Sequence, residues 1–149
     1  MALDTSPRGK SYPAQPYEVG KEKIREYAQA VGEDNPVYYD RDAARQAGFR
    51  DIPAPPMFAV VYSWPAITQT AIDPELGMDL ARLLHGGQEF AWQEPVCAGD
   101  TISTEASIKD IFARGDNAFY VFETLSRNQD GQEVARGTWT NIVRGAAAE

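Results

Sequence analysis

The sequence is poor in the residues that mark several common classes of protein. It includes one cysteine and one histidine, and its 14 basic residues stand against 22 acidic ones, for a formal net charge of −8. This balance argues against a nucleic-acid or membrane partner, because both are bound through clusters of lysine and arginine. No apolar run approaches the roughly 20 residues of a transmembrane helix. The first ten residues lack the apolar core of a signal peptide, so we expect a cytoplasmic protein.

Short chemical motifs are equally scarce, which removes several reaction types. Metal-ligand spacings, a glycine-rich phosphate loop and a Ser–His–Asp arrangement are all missing, so we expect neither a metal nor another cofactor. Cys97 cannot form an intrachain disulfide, and we interpret it as a small packing residue. No repeat or linker divides the chain, and residues 1–149 are therefore predicted to form a single domain.

The first part of the chain shows helical patterns. Residues 1–16 contain three prolines and are predicted to be an extended lead-in. Apolar residues at helical spacing predict a helix over 21–31, which Gly32 ends. Asp40 is a suitable N-cap for a short helix over 41–47.

A second apolar stretch, over 57–64, is apolar nearly all round, which is typical of a buried helix. Pro65 either kinks or ends this helix, because proline cannot donate a hydrogen bond to the preceding turn. Pro74 and Gly77 favour a loop over 66–80.

The rest of the chain shows the alternation of strands. Apolar and polar residues alternate in segments around 84–94, 102–108, 119–125 and 133–144, and the composition of 128–131 predicts a hairpin turn. Helices followed by a run of antiparallel strands are typical of the α+β class.

The most specific pattern lies in segment 27–40, where a helix ending at glycine precedes Glu-Asp-Asn-Pro-Val-Tyr-Tyr-Asp. This pattern resembles the hydratase signature of MaoC-like dehydratases and (R)-specific enoyl-thioester hydratases, Asp-x-Asn-Pro-Leu-His-x-Asp. The positions that match in register are Gly32, Asn35, Pro36, Val37, Asp40 and Ala43.

A second segment, 84–92, is similar to the N-terminal-type, non-catalytic module of FAS1-like dehydratases. It reads Leu-His-Gly-Gly-Gln-Glu-Phe-Ala-Trp, and the matching residues that follow it are Pro95, Gly99, Asp100 and Thr101. Together the two motifs extend the resemblance over essentially the whole chain. The resemblance implies an α+β hotdog fold, in which an antiparallel sheet wraps one long central helix.

The two catalytic positions of the resembled family are changed. There an aspartate and a histidine five positions later hold the water that adds to the enoyl thioester, a task suited to groups that exchange protons near neutral pH. Here these positions hold Glu33 and Tyr38. Glutamate can displace the carboxylate by about 1 Å, and tyrosine, with a pKa of about 10, is a poor base. We therefore assign no catalytic residue.

The resemblance implies a subunit of a (3R)-hydroxyacyl-thioester dehydratase or enoyl hydratase of fatty acid metabolism. Such a chain shapes the acyl channel for an acyl-CoA or acyl-carrier-protein thioester, while a partner MaoC-like chain supplies the Asp and His. A heterodimer is expected, or a homodimer when the partner is absent. The candidate substrate-binding residues are Asn35, Pro36, Met57, Phe58, Tyr62, His85 and Gly86.

Two alternatives remain open. The chain could be a self-sufficient homodimeric hydratase in which Glu33 and His85 form the catalytic pair, although His85 is also interpreted as a structural histidine at the start of a strand. It could instead be a module that binds acyl thioesters and performs no chemistry.

Overall fold

The computed structural model describes residues 2–147, which form one antiparallel sheet with helices packed on one face. The strand order across the sheet is β1-β3-β4-β5-β2, so β1 and β2 are the two edges. The helices are α1 (Lys21–Ala30), α2 (Arg41–Gln46) and α3 (Ala59–Ala71), and the strands are β1 (Gln15–Glu18), β2 (Leu83–Trp92), β3 (Thr101–Arg114), β4 (Asn117–Arg127) and β5 (Glu133–Val143).

Helix α3 is the central helix, and it packs mainly against β3, β1 and β4. The predicted loop over 66–80 is wrong in its first part, because Pro65 lies inside α3 and the helix continues to Ala71. Proline deprives the Val61 carbonyl of its donor, at about 3 kcal/mol. Burial outweighs this loss, since fully burying one aliphatic side chain contributes about 1.5–3 kcal/mol. The buried side chains of α3 are Ala59, Tyr62, Ser63, Ala66, Ile67 and Thr70.

Strand β3 extends beyond its predicted end at 108. Its register against β4 shifts between Ile108 and Asp110, so the buried positions pass from even-numbered residues to Ile111. A β-bulge of this kind interrupts the alternation by which a strand is recognised in a sequence. The other long strands, β2, β4 and β5, lie within about two residues of their predicted bounds.

Phe58, which is fully buried, joins the helices to the sheet at the start of α3. Its ring meets Tyr27 of α1 edge-on, with the ring centroids 5.4 Å apart, and Tyr17 of β1 in the same way at 6.3 Å. Edge-to-face pairs add about 0.5–1.5 kcal/mol each beyond the burial of their area. This cluster fixes where the chain enters α3, and so fixes one wall of the cleft described next.

Candidate functional site

A mostly apolar cleft of about 230 Å³ lies where residues 53–56, α3 and the end of β2 meet. The indole of Trp92 closes one side, and its Nε1–H donates to the Pro56 carbonyl at 2.8 Å. Tyr38 and Tyr62 bring two phenol rings into the lining. Apolar clefts with a few polar groups are the usual form of small-molecule sites. The cleft is therefore the candidate site.

The loop between α1 and α2 carries Glu33 and Tyr38, the positions at which the resembled family has its catalytic dyad of aspartate and histidine. The loop starts from the end of α1, which has a defined geometry. Gly32 has a φ of 74°, a left-handed conformation that glycine adopts without strain. This turn lets the Glu33 N–H bond to the Ala28 carbonyl at 2.8 Å, which closes α1. The Tyr39 hydroxyl donates to the Glu33 carbonyl. The backbone at position 33 is thus held from both sides.

Two short polar side chains fix the rest of this loop, and one of them, Asp40, caps α2 as the sequence predicted. Asn35 Oδ1 accepts a hydrogen bond from the Val37 N–H at 3.2 Å. Asp40 Oδ1 accepts one from the Ala43 N–H at 2.8 Å and caps α2. Such caps contribute about 0.5–2 kcal/mol each. The residues of the signature that shape the loop are therefore retained, whereas those at its catalytic positions are replaced.

The groups at the two dyad positions have unequal chemical abilities. The half-buried carboxylate of Glu33 accepts one long hydrogen bond, 3.4 Å, from the Asn35 N–H. Burial, and secondarily the negative charge of Glu33, raises the pKa of Tyr38 above its usual value of 10. The Tyr38 phenol therefore stays protonated at neutral pH, where it can donate a hydrogen bond but cannot act as a base.

His85 lies at the opposite end of β2 from the cleft. Its ring meets Trp139 edge-on, with the ring centroids 6.0 Å apart. Its ring is linked to that of Trp92 through Trp139 and Phe90, with about 6 Å between the ring centroids at each step. Tyr38 lines the cleft and His85 does not, so within one chain the fold does not bring His85 into the cleft beside Tyr38.

The other candidate residues are divided between the core, the loop and the surface. Phe58 belongs to the core, whereas Met57 has 43% of its surface exposed. Asn35 and Pro36 start the turn that leads to Tyr38. Gly86 lies beside a bulge of β2, where a Cβ would approach the Ile142 side chain to 2.6 Å. Of all the candidates, the fold brings Tyr38 and Tyr62 together in the cleft.

An ion pair next to the cleft was missed by the sequence interpretation. The Asp100 carboxylate, 1% exposed, accepts hydrogen bonds from Arg50, from the Cys97 N–H at 2.9 Å and from Gln129 at 3.0 Å. Burial raises the pKa of Asp100, but these hydrogen bonds outweigh it and hold the pKa below its usual value. The pair ties the segment that follows Phe49, a cleft residue, to the 97–100 turn and the β4–β5 hairpin.

Comparison with known proteins identifies the family. The family described as "FAS1-like, dehydratase domain region" matches residues 7–137. The chain belongs to this FAS1-like dehydratase family. Among curated relatives, a UPF0336 protein of Saccharopolyspora erythraea is 42% identical over 150 residues, covering 100% of this chain and 96% of the relative. A UPF0336 protein of Streptomyces avermitilis is 43% identical, covering 100% and 99%.

Solved structures confirm the predicted hotdog fold of MaoC-like dehydratases for this FAS1-like domain. The C-terminally truncated HadBC (3R-hydroxyacyl-ACP dehydratase) complex of Mycobacterium tuberculosis matches with a TM-score of 0.77 and 26% identity, covering 91% of this chain and 96% of the matched one. A MaoC-like dehydratase matches with a TM-score of 0.85 and 24% identity, and this chain spans 43% of it. The ChsH1–ChsH2 complex of Mycobacterium tuberculosis matches with a TM-score of 0.70 and 20% identity, covering 93% and 91%.

Two further features of the FAS1-like domain concern metals and membranes. Within residues 2–147, no group of three or more His, Cys, Asp or Glu side chains is arranged to hold a metal ion. In the same part of the chain, no helix combines the length and the apolar character that crossing a membrane requires.

Proposed function

We propose that the chain is the non-catalytic subunit of a two-chain dehydratase or hydratase that acts on 3-hydroxyacyl and enoyl thioesters in fatty acid metabolism. Its cleft contributes to the acyl channel, and a MaoC-like partner supplies the aspartate and histidine that move protons. The acyl group is carried by coenzyme A or by acyl carrier protein.

One observation carries this proposal: the chain has the loop-shaping residues of the signature and an apolar cleft beside them, while the dyad positions hold Glu33 and Tyr38. The Tyr38 phenol keeps its proton at neutral pH. The histidine of the chain, His85, does not line the cleft in which Tyr38 lies. A chain of this kind can bind and orient an acyl thioester, but it has a phenol in place of the imidazole that the reaction needs beside the carboxylate.

The free edge of the sheet supports a partner chain. Strand β2 is ten residues long and forms hydrogen bonds with β5 along one side only. Leu84 and Trp92 on this strand have 47% and 48% of their surfaces exposed. An open edge with apolar side chains favours pairing with another strand. HadBC and ChsH1–ChsH2 are themselves complexes, which is consistent with such a partner.

The deciding experiment measures hydration of crotonyl and longer enoyl thioesters by the purified chain, alone and mixed with a dyad-bearing MaoC-like chain from the same source. We expect turnover only in the mixture. The double substitution Glu33→Gln and Tyr38→Phe in this chain should leave the rate of the mixture within about twofold. Turnover by the chain alone, lost in Glu33→Gln and in His85→Ala, would establish the self-sufficient hydratase. Binding without turnover in either sample would establish the binding module.

A second test addresses the proposed interface. Leu84→Lys places a charge on the exposed side of β2, so we expect it to weaken the complex at least tenfold in sedimentation experiments. Ile72→Lys is the matched control, because Ile72 is 68% exposed at the end of α3, away from β2. Equal effects of the two substitutions, or no effect of either, would rule out β2 as the interface.

A further inference from the structure

The hydroxyl of Tyr62 is an unsatisfied polar group in an otherwise apolar part of the cleft. The residue is 2% exposed, lines the cleft, and forms no side-chain hydrogen bond within residues 2–147. In that range the one fully enclosed side-chain polar atom without a partner is Gln88 Oε1. The Tyr62 Oη has no partner either, but it is not fully enclosed. Part of the 2% of the Tyr62 surface that remains accessible therefore belongs to this oxygen, and a ligand in the cleft can reach it.

The position of Tyr62 determines which part of a ligand it meets. Trp92, on another wall, is 48% exposed, whereas Tyr62 belongs to the buried face of α3. A carrier such as coenzyme A or a protein is far larger than a cleft of about 230 Å³, and therefore stays outside. The thioester then lies near the mouth, and the acyl chain points inward towards Tyr62.

The cleft has room for a short acyl group. A water molecule occupies about 30 Å³ of the liquid, so about 230 Å³ accommodates on the order of eight atoms of that size. The 3-hydroxybutyryl thioester group, with four carbons, two oxygens and one sulfur, fits this space. Inside an apolar cleft its hydroxyl needs a hydrogen-bonding partner, because a buried hydroxyl without one is unfavourable by about 1–3 kcal/mol.

We propose that Tyr62 is the specificity-determining residue of the cleft, and that its hydroxyl forms a hydrogen bond with the 3-hydroxyl of a short 3-hydroxyacyl thioester. A phenol both donates and accepts, so it can pair with an alcohol in either direction. A saturated acyl chain of equal length has no 3-hydroxyl and cannot form this hydrogen bond. The assignment rests on the proposed function, since it concerns the same acyl thioester.

The test compares the binding of two N-acetylcysteamine thioesters, (3R)-3-hydroxybutyryl and butyryl, by isothermal titration calorimetry. It uses the full chain, alone and together with its catalytic partner. In Tyr62→Phe we expect the affinity for the hydroxybutyryl probe to fall about five- to tenfold, the effect of one hydrogen bond. The affinity for the butyryl probe should stay within about twofold. Tyr120→Phe is the matched control, because Tyr120 is equally buried but lies outside the cleft, and it should change neither affinity.

Folding can be checked independently. Removing a hydroxyl that has no partner should leave the melting temperature unchanged or raise it slightly. An equal loss of affinity for both probes in Tyr62→Phe, or no loss for either, overturns the role of Tyr62 while leaving the proposed function intact. If the parent protein binds neither probe, alone or with its partner, the assignment to a short 3-hydroxyacyl group fails, while the hydration assay with longer enoyl thioesters decides the proposed function separately.

Discussion

The substitution Asp100→Asn tests the buried ion pair beside the cleft. One carboxylate oxygen of Asp100 accepts from Arg50 and the Cys97 N–H, and the other accepts from Gln129. An asparagine has the same shape but only one acceptor oxygen. Its NH2 group must therefore face either the Cys97 N–H or the Gln129 amide, and a former acceptor becomes a donor.

The magnitude follows from burial. Leaving a buried donor without a partner is unfavourable by about 1–3 kcal/mol, and a hydrogen bond to a charged group contributes about 1.5–3 kcal/mol. The Arg50 side chain is 52% exposed, so water compensates for part of its loss. We expect the free energy of unfolding to fall by about 3 kcal/mol at pH 7, and the melting temperature by about 6–12 °C for a chain of this size.

The destabilisation caused by Asp100→Asn should become smaller as the pH falls. Because the pKa of Asp100 is lower in the folded state, the stabilisation is complete above the unfolded value of about 3.9. It is lost as the pH falls through the folded value. The difference between the parent and Asp100→Asn should thus be constant from pH 5 to 8 and smaller at pH 3.

Urea unfolding at several pH values provides the assay, with Glu123→Gln as the control. Glu123 pairs with Lys109 at 3.0 Å, but both side chains are about half exposed, so this substitution should change stability by less than about 1 kcal/mol. An Asp100→Asn effect no larger than that of Glu123→Gln would refute the reasoning. So would a difference that is the same at pH 3 and pH 7.

Two other predictions concern packing and the N-terminal segment. Gly137→Ala should destabilise by about 3 kcal/mol in thermal unfolding, because a Cβ there would lie 2.5–2.9 Å from three side chains. Gly87→Ala is the control: its Cβ would meet the Thr140 side chain at an ordinary 3.7 Å, so it should change stability by less than about 1 kcal/mol. Asp73→Asn should lower stability by about 2 kcal/mol at pH 7, since Lys10 and Tyr12 donate to this carboxylate at 2.6 Å and lower the pKa of Asp73 to about 2. Its difference from the parent in urea unfolding should shrink as the pH falls from about 4 towards 2.

The elements that the sequence predicted well are those fixed by neighbouring residues. Helix α1, its end at Gly32 and the cap at Asp40 depend on contacts within a few positions, so composition and spacing reveal them. Helix α3 beyond Pro65 depends on burial against three strands, which no local pattern reports. The bulge of β3 reverses the alternation of the strand and hides its second half in the same way.

The candidate site was predictable only in part. The motif located Tyr38, and the apolar stretch located Tyr62, but nothing local indicated that they share a cleft with Trp92. Arg50 and Asp100 are 50 positions apart and each is unremarkable in its own segment. An ion pair of this kind can be recognised only from the folded structure, in which strand pairing brings distant segments together.

The two edges of the sheet differ in a way that limits how far the chain can assemble. Strand β1 is four residues long, and one of them, Pro16, has no N–H to offer to another strand. Strand β2, at the other edge, is ten residues long. When two such sheets join through β2, only short and poorly pairing edges face outward. In the proposed pairing through β2, growth would stop at two chains, which gives a closed pair and not a fibre.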